Sequence, residues 1–188
     1  MPARDLNELI AWLKANPNKV SAGITTVGYR LLMTVFQNET GTQFTLVPYR
    51  GAAYEMQDLL AGQIDLLFDS LVQLPLVRAG IIRAYGVTTR MALAPNIPTF
   101  AEVGLSALSH TAWLGLFAPK GTPAGIICNL NATTMEALAD PAVRSRIDDL
   151  GFEVLPRERQ TGDALGAFVR ASAEQWWPII KELEIRAK

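Results

Sequence analysis

The sequence predicts an α/β fold with a mostly parallel sheet, and three observations point to it. Short runs rich in β-branched and apolar residues alternate with segments whose apolar residues recur at helical spacing. Residues 47–70 compress a strand end, a turn, a short helix and a second strand into one unit, with polar loops at the carboxyl ends of both strands. Open α/β sheets bind ligands at those ends. No internal repeat, low-complexity run or charge block suggests another architecture. With 188 residues, 49% hydrophobic and 19% charged, the chain suits one domain, or two small ones, around a buried core.

Asp5-Leu6-Asn7-Glu8 is an acidic variant of the capping box, and Leu6, Leu9, Ile10 and Leu13 follow at helical spacing. Asn16-Pro17-Asn18 closes that helix, and Lys19 to Ala22 reads as a short strand. A small-residue loop, Gly23 to Gly28, comes next. A second helix opens near Tyr29 and runs to Glu39 with Leu31, Leu32, Val35 and Phe36 inward, closed by Gly41. This order aims backbone N–H groups and the positive end of a helix at whatever lies above Thr25, Thr26 and Gly28. The loop is neither a dinucleotide fingerprint nor a P-loop, so a plain tight turn stands beside the anion-site reading.

Phe44 to Val47 forms the next strand and ends at Pro48. Tyr49-Arg50-Gly51 turns the chain into a helix with Met56, Leu59 and Leu60 on one face, stopped by Gly62. Ile64 to Phe68 is a second strand, ending at Asp69-Ser70. Arg50 is placed either to pair with an anion or to sit solvated in its turn. Tyr49 can stack or donate one hydrogen bond. Asp65 and Asp69 share a strand face at its opposite ends. Asp69 is the site candidate of the two, and also the natural N-cap of the next helix. That helix carries Leu71, Leu74 and Val77, with Pro75 in its first turns, and ends at Gly80. Ile81 to Thr88 reads as another strand, and residues 90–106 as an irregular crossover with a Thr99–Glu102 capping box.

Thr111 to Ala118 reads as a strand ending at Pro119, with Trp113 as core or cleft wall. Thr122 as N-cap and Pro123 at the first helical position open a helix to Ala139 through Ile127, Leu130, Thr134 and Leu138. Asp140-Pro141 repeats the device for a helix with Val143, Ile147 and Leu150, stopped by Gly151. Phe152 to Leu155 is a short strand. The last helix begins at Thr161 or Gly162 with Leu165, Phe168, Val169 and Trp176 as its stripe, and Pro178 kinks or restarts it.

The net charge of -1 gives no electrostatic reason to expect nucleic acid, and no apolar run is long enough to span a membrane. The first residues carry no secretory signal, so the chain is cytosolic or its leader lies outside it. A single cysteine, Cys128, excludes an intrachain disulfide and any Cys-rich metal site, and reads as buried packing. The single histidine, His110, reads as structural. No nucleophile elbow and no cluster with metal-ligand spacing occurs. The pattern suits binding rather than catalysis: no catalytic residue, no metal and no cofactor is expected.

Several motifs in order resemble one family. Val47-Pro48-Tyr49-Arg50-Gly51, Asp58-Leu59-Leu60-Ala61-Gly62-Gln63-Ile64-Asp65 and Phe68-Asp69 resemble the VPYKG, DLLGGQVD and FD pattern of the Bug, or TctC-like, family. Arg78-Ala79-Gly80, Arg83 to Thr88, Pro98 to Gly104, Trp113 to Pro123, Ala137 to Pro141 and Leu150-Gly151 continue the resemblance over essentially the whole chain. These are the extracytoplasmic solute-binding proteins of tripartite tricarboxylate transporters. The resemblance implies a type II periplasmic-binding-protein fold, with two lobes closing on a small carboxylate that is handed to membrane permease subunits without chemistry. It implies a periplasmic location, and a ligand site on the cleft rim at Thr25, Thr26, Gly28, Tyr49, Arg50, Gly51, Asp69 and Ser70.

The sequence departs from the family pattern in two places. The PxGGxxD loop and the stretch that carries it are not in this sequence. Residues 1–106 then correspond to lobe two, and 107–188 to the carboxyl-terminal part of an incomplete lobe one. Such a lobe leaves apolar surface that favours a homodimer. The family's GxGxGSxxHL loop is replaced by Gly23 to Leu32, where Thr25 and Thr26 stand in for a serine hydroxyl and Arg30 adds a cation. Two other readings compete: a cytosolic ligand-sensing domain of the same fold, like the effector domain of LysR-type regulators, and a small hydrolase built on His110 with Ser109 and Asp69. A single histidine counts against the second.

Overall fold

The computed structural model describes residues 2–91, 93–109, 113–150 and 152–182, the side chains of Leu71 and Glu182 excepted. They form two compact units, one within Met1–Thr111 and the other Ala112–Glu182. His110 and Gly151, with their expected roles, lie outside the described residues.

In the first unit, α1 (Leu6–Ala15) starts at Asp5, whose carboxylate accepts the Glu8 N–H at 2.8 Å. The return bond from Glu8 goes to the Arg4 N–H, one residue short of a true capping box. Leu6, Leu9 and Leu13 are buried as their spacing predicts. β1 (Ser21–Ile24) begins later than expected, and α2 (Val27–Thr40) begins earlier, with Thr26 as its N-cap. The intervening loop shrinks to Thr25 and Thr26, and Gly28 belongs to the first turn of α2. α2 ends at Gly41, φ 64°, a left-handed position that favours glycine.

β2 (Thr45–Pro48), α3 (Ala52–Leu60) and β3 (Leu66–Leu67) complete the central unit. The three strands form a parallel sheet in the order β2-β1-β3, with Ser21 opposite Thr45, Ile24 opposite Pro48, and Gly23 between Val47 and Leu67. Pro48 closes β2 where the ladder ends; it lacks an N–H, and Tyr49 donates to the Ile24 carbonyl instead, at 2.8 Å. β3 is shorter than the expected Ile64 to Phe68 because the Asp65 carboxylate accepts from Ser21 N at 3.0 Å and Ser21 Oγ at 3.3 Å. With the Asp65 N–H donating to the Ser21 carbonyl at 2.9 Å, that fastens the strand's start by backbone and side chain together. The apolar face of α3 is Met56 with Glu55, while Leu60 is exposed.

A single 3-10 turn, Leu71–Gln73, leads into α4 (Leu74–Arg78), with Pro75 in its first turn. Ile81 to Thr88 is not a strand. Val87 alone pairs, with Thr99, while Arg83 and Tyr85 turn their polar tips onto the Ala3 carbonyl. The Thr99–Glu102 capping box forms in both directions, Thr99 N to Glu102 Oε2 at 2.9 Å and Glu102 N to Thr99 Oγ1 at 3.3 Å. Phe100, the hub of this segment, packs against Phe36 and Phe68 with ring centroids 6.4 and 5.6 Å away.

The second unit is helical: α5 (Ala124–Ala139), α6 (Pro141–Asp149) and α7 (Gly162–Glu182). Asp140 caps α6 as expected, accepting from the Ala142 and Val143 N–H groups at 2.7 and 3.2 Å. Thr122 does not cap α5: its hydroxyl donates to the Pro119 carbonyl, and Pro123 takes the cap position. α7 runs through Pro178 without ending. Of the expected Thr111–Ala118 strand, the described residues 113–118 belong to no strand, and neither do 152–155. A strand needs a neighbour's N–H and C=O groups, and none faces these runs among the described residues. Trp113 is part-exposed, its ring edge-on to Phe168 at 5.2 Å. No described residue of this unit is buried, and Cys128, expected in a core, is exposed.

Candidate functional site

The strand order fixes where a site can be. From β1 the chain crosses through α2 to one neighbour, β2, and then through α3 to the other, β3. Connections that leave a central strand on opposite sides open a crevice at the carboxyl ends, the switch point where α/β proteins hold ligands. The loop after β1 carries Thr25 and Thr26, and the loop after β3 carries Asp69 and Ser70. Tyr49, Arg50 and Gly51 follow β2 on the other flank of β1. The eight residues singled out from the sequence therefore share one sheet edge, Gly28 from within α2.

Local chemistry at this edge favours a negatively charged group. Thr26 Oγ1 accepts the Tyr29 N–H at 3.1 Å, leaving the Val27 and Gly28 N–H groups without an acceptor among the described residues. They point out of a fourteen-residue helix whose dipole is positive at this end. A Cβ at Gly28 would come no nearer than 3.7 Å to Thr26 Oγ1, so close backbone approach does not explain this glycine. Gly51 starts α3 with no side-chain cap, which leaves a second helix N-terminus open at the same edge. Arg50 is exposed and makes no ion pair among the described residues. With Pro48, Tyr49 and Tyr54 it lines a shallow hollow of about 390 Å³.

Asp69 is committed structurally. Its two oxygens accept from Ser70 N at 2.7 Å and Gln73 Nε2 at 2.9 Å, which shapes the turn and presents Ser70 at the surface. Tyr49 gives its hydroxyl to Asp58 Oδ2 at 2.7 Å, and this bond, then burial, pushes its phenol up to about 12. It stays a neutral donor held by α3. Tyr29 is also raised, first by burial and then by the charges of Asp69 and Glu55.

Glu55 was not singled out from the sequence. It is fully buried on α3, and neither carboxylate oxygen has a hydrogen-bond partner among the described residues. Burial first, then the charge of Asp69, pushes its carboxyl up to about 7. A signal existed: Glu55 lies four residues before Leu59, on the stripe that faces the sheet. Gly23 makes the room. A Cβ there would stand 2.6 Å from Glu55 Oε1 and 2.8 Å from Ile64 Cδ1. Gly23→Ala is therefore expected to cost about 1–3 kcal/mol by overpacking. Urea unfolding checks this, and the cost should shrink when Glu55 is also Ala.

Residues 1–185 match the model of the tripartite tricarboxylate transporter family receptor, TctC. The chain belongs to this family. A curated relative, the UPF0065 protein in the TAR-I ttuE-ttuC' intergenic region of Agrobacterium vitis, is 36% identical over 93% of this chain. This chain spans 52% of that relative's length. Among solved structures, the periplasmic binding protein BugD matches all of this chain and 64% of its own, with 30% identity and a TM-score of 0.88. MatC from Rhodopseudomonas palustris, with bound malate, matches 95% of this chain and 63% of its own, with 30% identity and a TM-score of 0.85. The α/β periplasmic-binding-protein fold expected for a TctC chain is the one observed. The TctC model describes a receptor and the BugD structure a binding protein, in accord with the reading that no catalysis is involved.

Proposed function

We propose that this chain supplies the solute-holding edge of an extracytoplasmic binding protein that captures a small carboxylate for the membrane permease subunits of a tripartite transporter. The observation that carries the reading is the strand order β2-β1-β3, which gathers the loops at Thr25–Thr26 and Asp69–Ser70 beside the open N-terminus of α2. Unpaired N–H groups, hydroxyls and the exposed Arg50 suit an anion, and MatC holds malate. Residues 1–106 act as lobe two and residues 107–188 as part of lobe one. A periplasmic location accords with the relatives named periplasmic. The exposed Leu114, Leu116, Phe117, Ile126 and Trp177 support association of the second unit with another copy.

A thermal-shift panel of malate, adipate, citrate and benzoate tests the capture. A carboxylate at about 100 times its dissociation constant adds about 2.7 kcal/mol to stability. A melting point unmoved by every member at millimolar concentration would refute the reading.

A further inference from the structure

We propose that Glu55 is a proton site linked to solute capture: when a carboxylate settles on the edge formed by Thr26, Gly28 and Ser70, the protonated fraction of Glu55 rises, the proton coming from solvent. The proposal rests on the anion-binding reading of that edge.

The geometry is specific to this side chain. Glu55 projects from α3 into a slot beneath the central strand, where Gly23 lacks a side chain and Ile64 closes the wall. Its oxygens are sealed from solvent and find no donor among the described residues. Asp69 acts on its charge, and its own charge acts on Tyr29 and Tyr49. Asp69 lies after β3, Tyr29 on α2 and Tyr49 after β2, with Asp58 on α3 already held by Tyr49. These groups are acidic or neutral. Arg30 and Arg50 are exposed and pair with none of them.

An unpartnered carboxyl in such surroundings sheds its charge by protonation. With its carboxyl pushed up to about 7, Glu55 is divided between its two forms near neutrality. Asp69 already raises it through space, and a second negative charge on the same edge raises it further. The balance is simple: a solvent proton joins a Glu55 carboxylate oxygen, and no other bond changes. By linkage the effect is reciprocal, so the protonated protein holds the anion more tightly, and affinity falls as pH rises through neutrality.

Calorimetry of the full chain with malate near neutral pH, in Bis-Tris and in Tris, reads the proton directly. The heats should differ by an uptake of about 0.4 proton for a one-unit upward shift. In Glu55→Gln the buffer dependence should vanish. Equal heats in the parent chain, or an unchanged difference in the variant, overturns the proposal. Carbon-13 NMR of labelled glutamate in the unaltered chain is the second readout. The Glu55 carboxyl should titrate near neutrality alone and higher with malate. Malate binding without that movement defeats the linkage alone. No heat and no spectral change with malate or with any other carboxylate of the panel defeats the anion-binding reading, and the linkage with it.

Discussion

At alkaline pH, Glu55→Gln is more stable than the parent chain by about 3 kcal/mol, and the difference shrinks to about 1 kcal/mol near pH 5. The sign follows from the direction of the shift. The Glu55 carboxyl rises from 4.5 to about 7 in the fold. Below the lower value, folded and unfolded chains both hold the proton, and no penalty arises. Between the two values the unfolded chain ionises while the folded one stays protonated, so stability falls as pH rises. Above the upper value the loss is complete. Gln keeps the shape and cannot ionise, so its stability has no such slope. Amide exchange of β1 at about pH 5 and about pH 8 checks this, because β1 reports opening of the unit that contains Glu55. A parent and variant that lose stability equally between those conditions would contradict it.

Leu13→Ala costs about 2–5 kcal/mol, whereas Leu130→Ala changes stability by less than about 1 kcal/mol. Leu13 is wholly buried between α1 and the rest of the first unit, and Ala leaves a cavity there. Leu130 is 44% exposed on α5, so truncation removes little that was withdrawn from water. Urea unfolding of both variants measures the contrast. Equal costs would mean that α5 is packed in solution against something that buries it.

That contrast also marks how far the sequence could be read. Asp5, Gly41, the Thr99–Glu102 box and Asp140 are local devices whose chemistry acts within a few residues, and each forms where its residues stand. The buried faces of α1 and α2 followed from spacing alone. Strands were less legible because a strand depends on its neighbour. Leu66–Leu67 is paired and short because Asp65 is bound to Ser21, and Ile81 to Thr88 pairs only at Val87, while Arg83 and Tyr85 attach to the Ala3 carbonyl. Cys128 was placed in a core by its apolar context, but its position on α5 is exposed.

At the site, the edge residues were legible because loops after parallel strands must lie together. Their division of labour was not. Whether Asp69 would bind a ligand or hold its own turn depended on where Gln73 pointed. Tyr49 is taken by Asp58, nine residues further along in α3. Glu55 escaped notice because a carboxylate in a helix is normally solvated. Only the pairing of Gly23 between Val47 and Leu67 brings that glycine beneath it.

The central claim is that a carboxylate binds at the carboxyl edge of the β2-β1-β3 sheet. The direct measurement is a nitrogen-15 amide map of the chain titrated with malate. The account predicts saturable shifts concentrated at Val27, Gly28, Arg50, Gly51 and Ser70, with the amides of α5 and α6 unmoved. Saturable shifts confined to other surfaces, or none at millimolar malate and the other carboxylates of the panel, would contradict it.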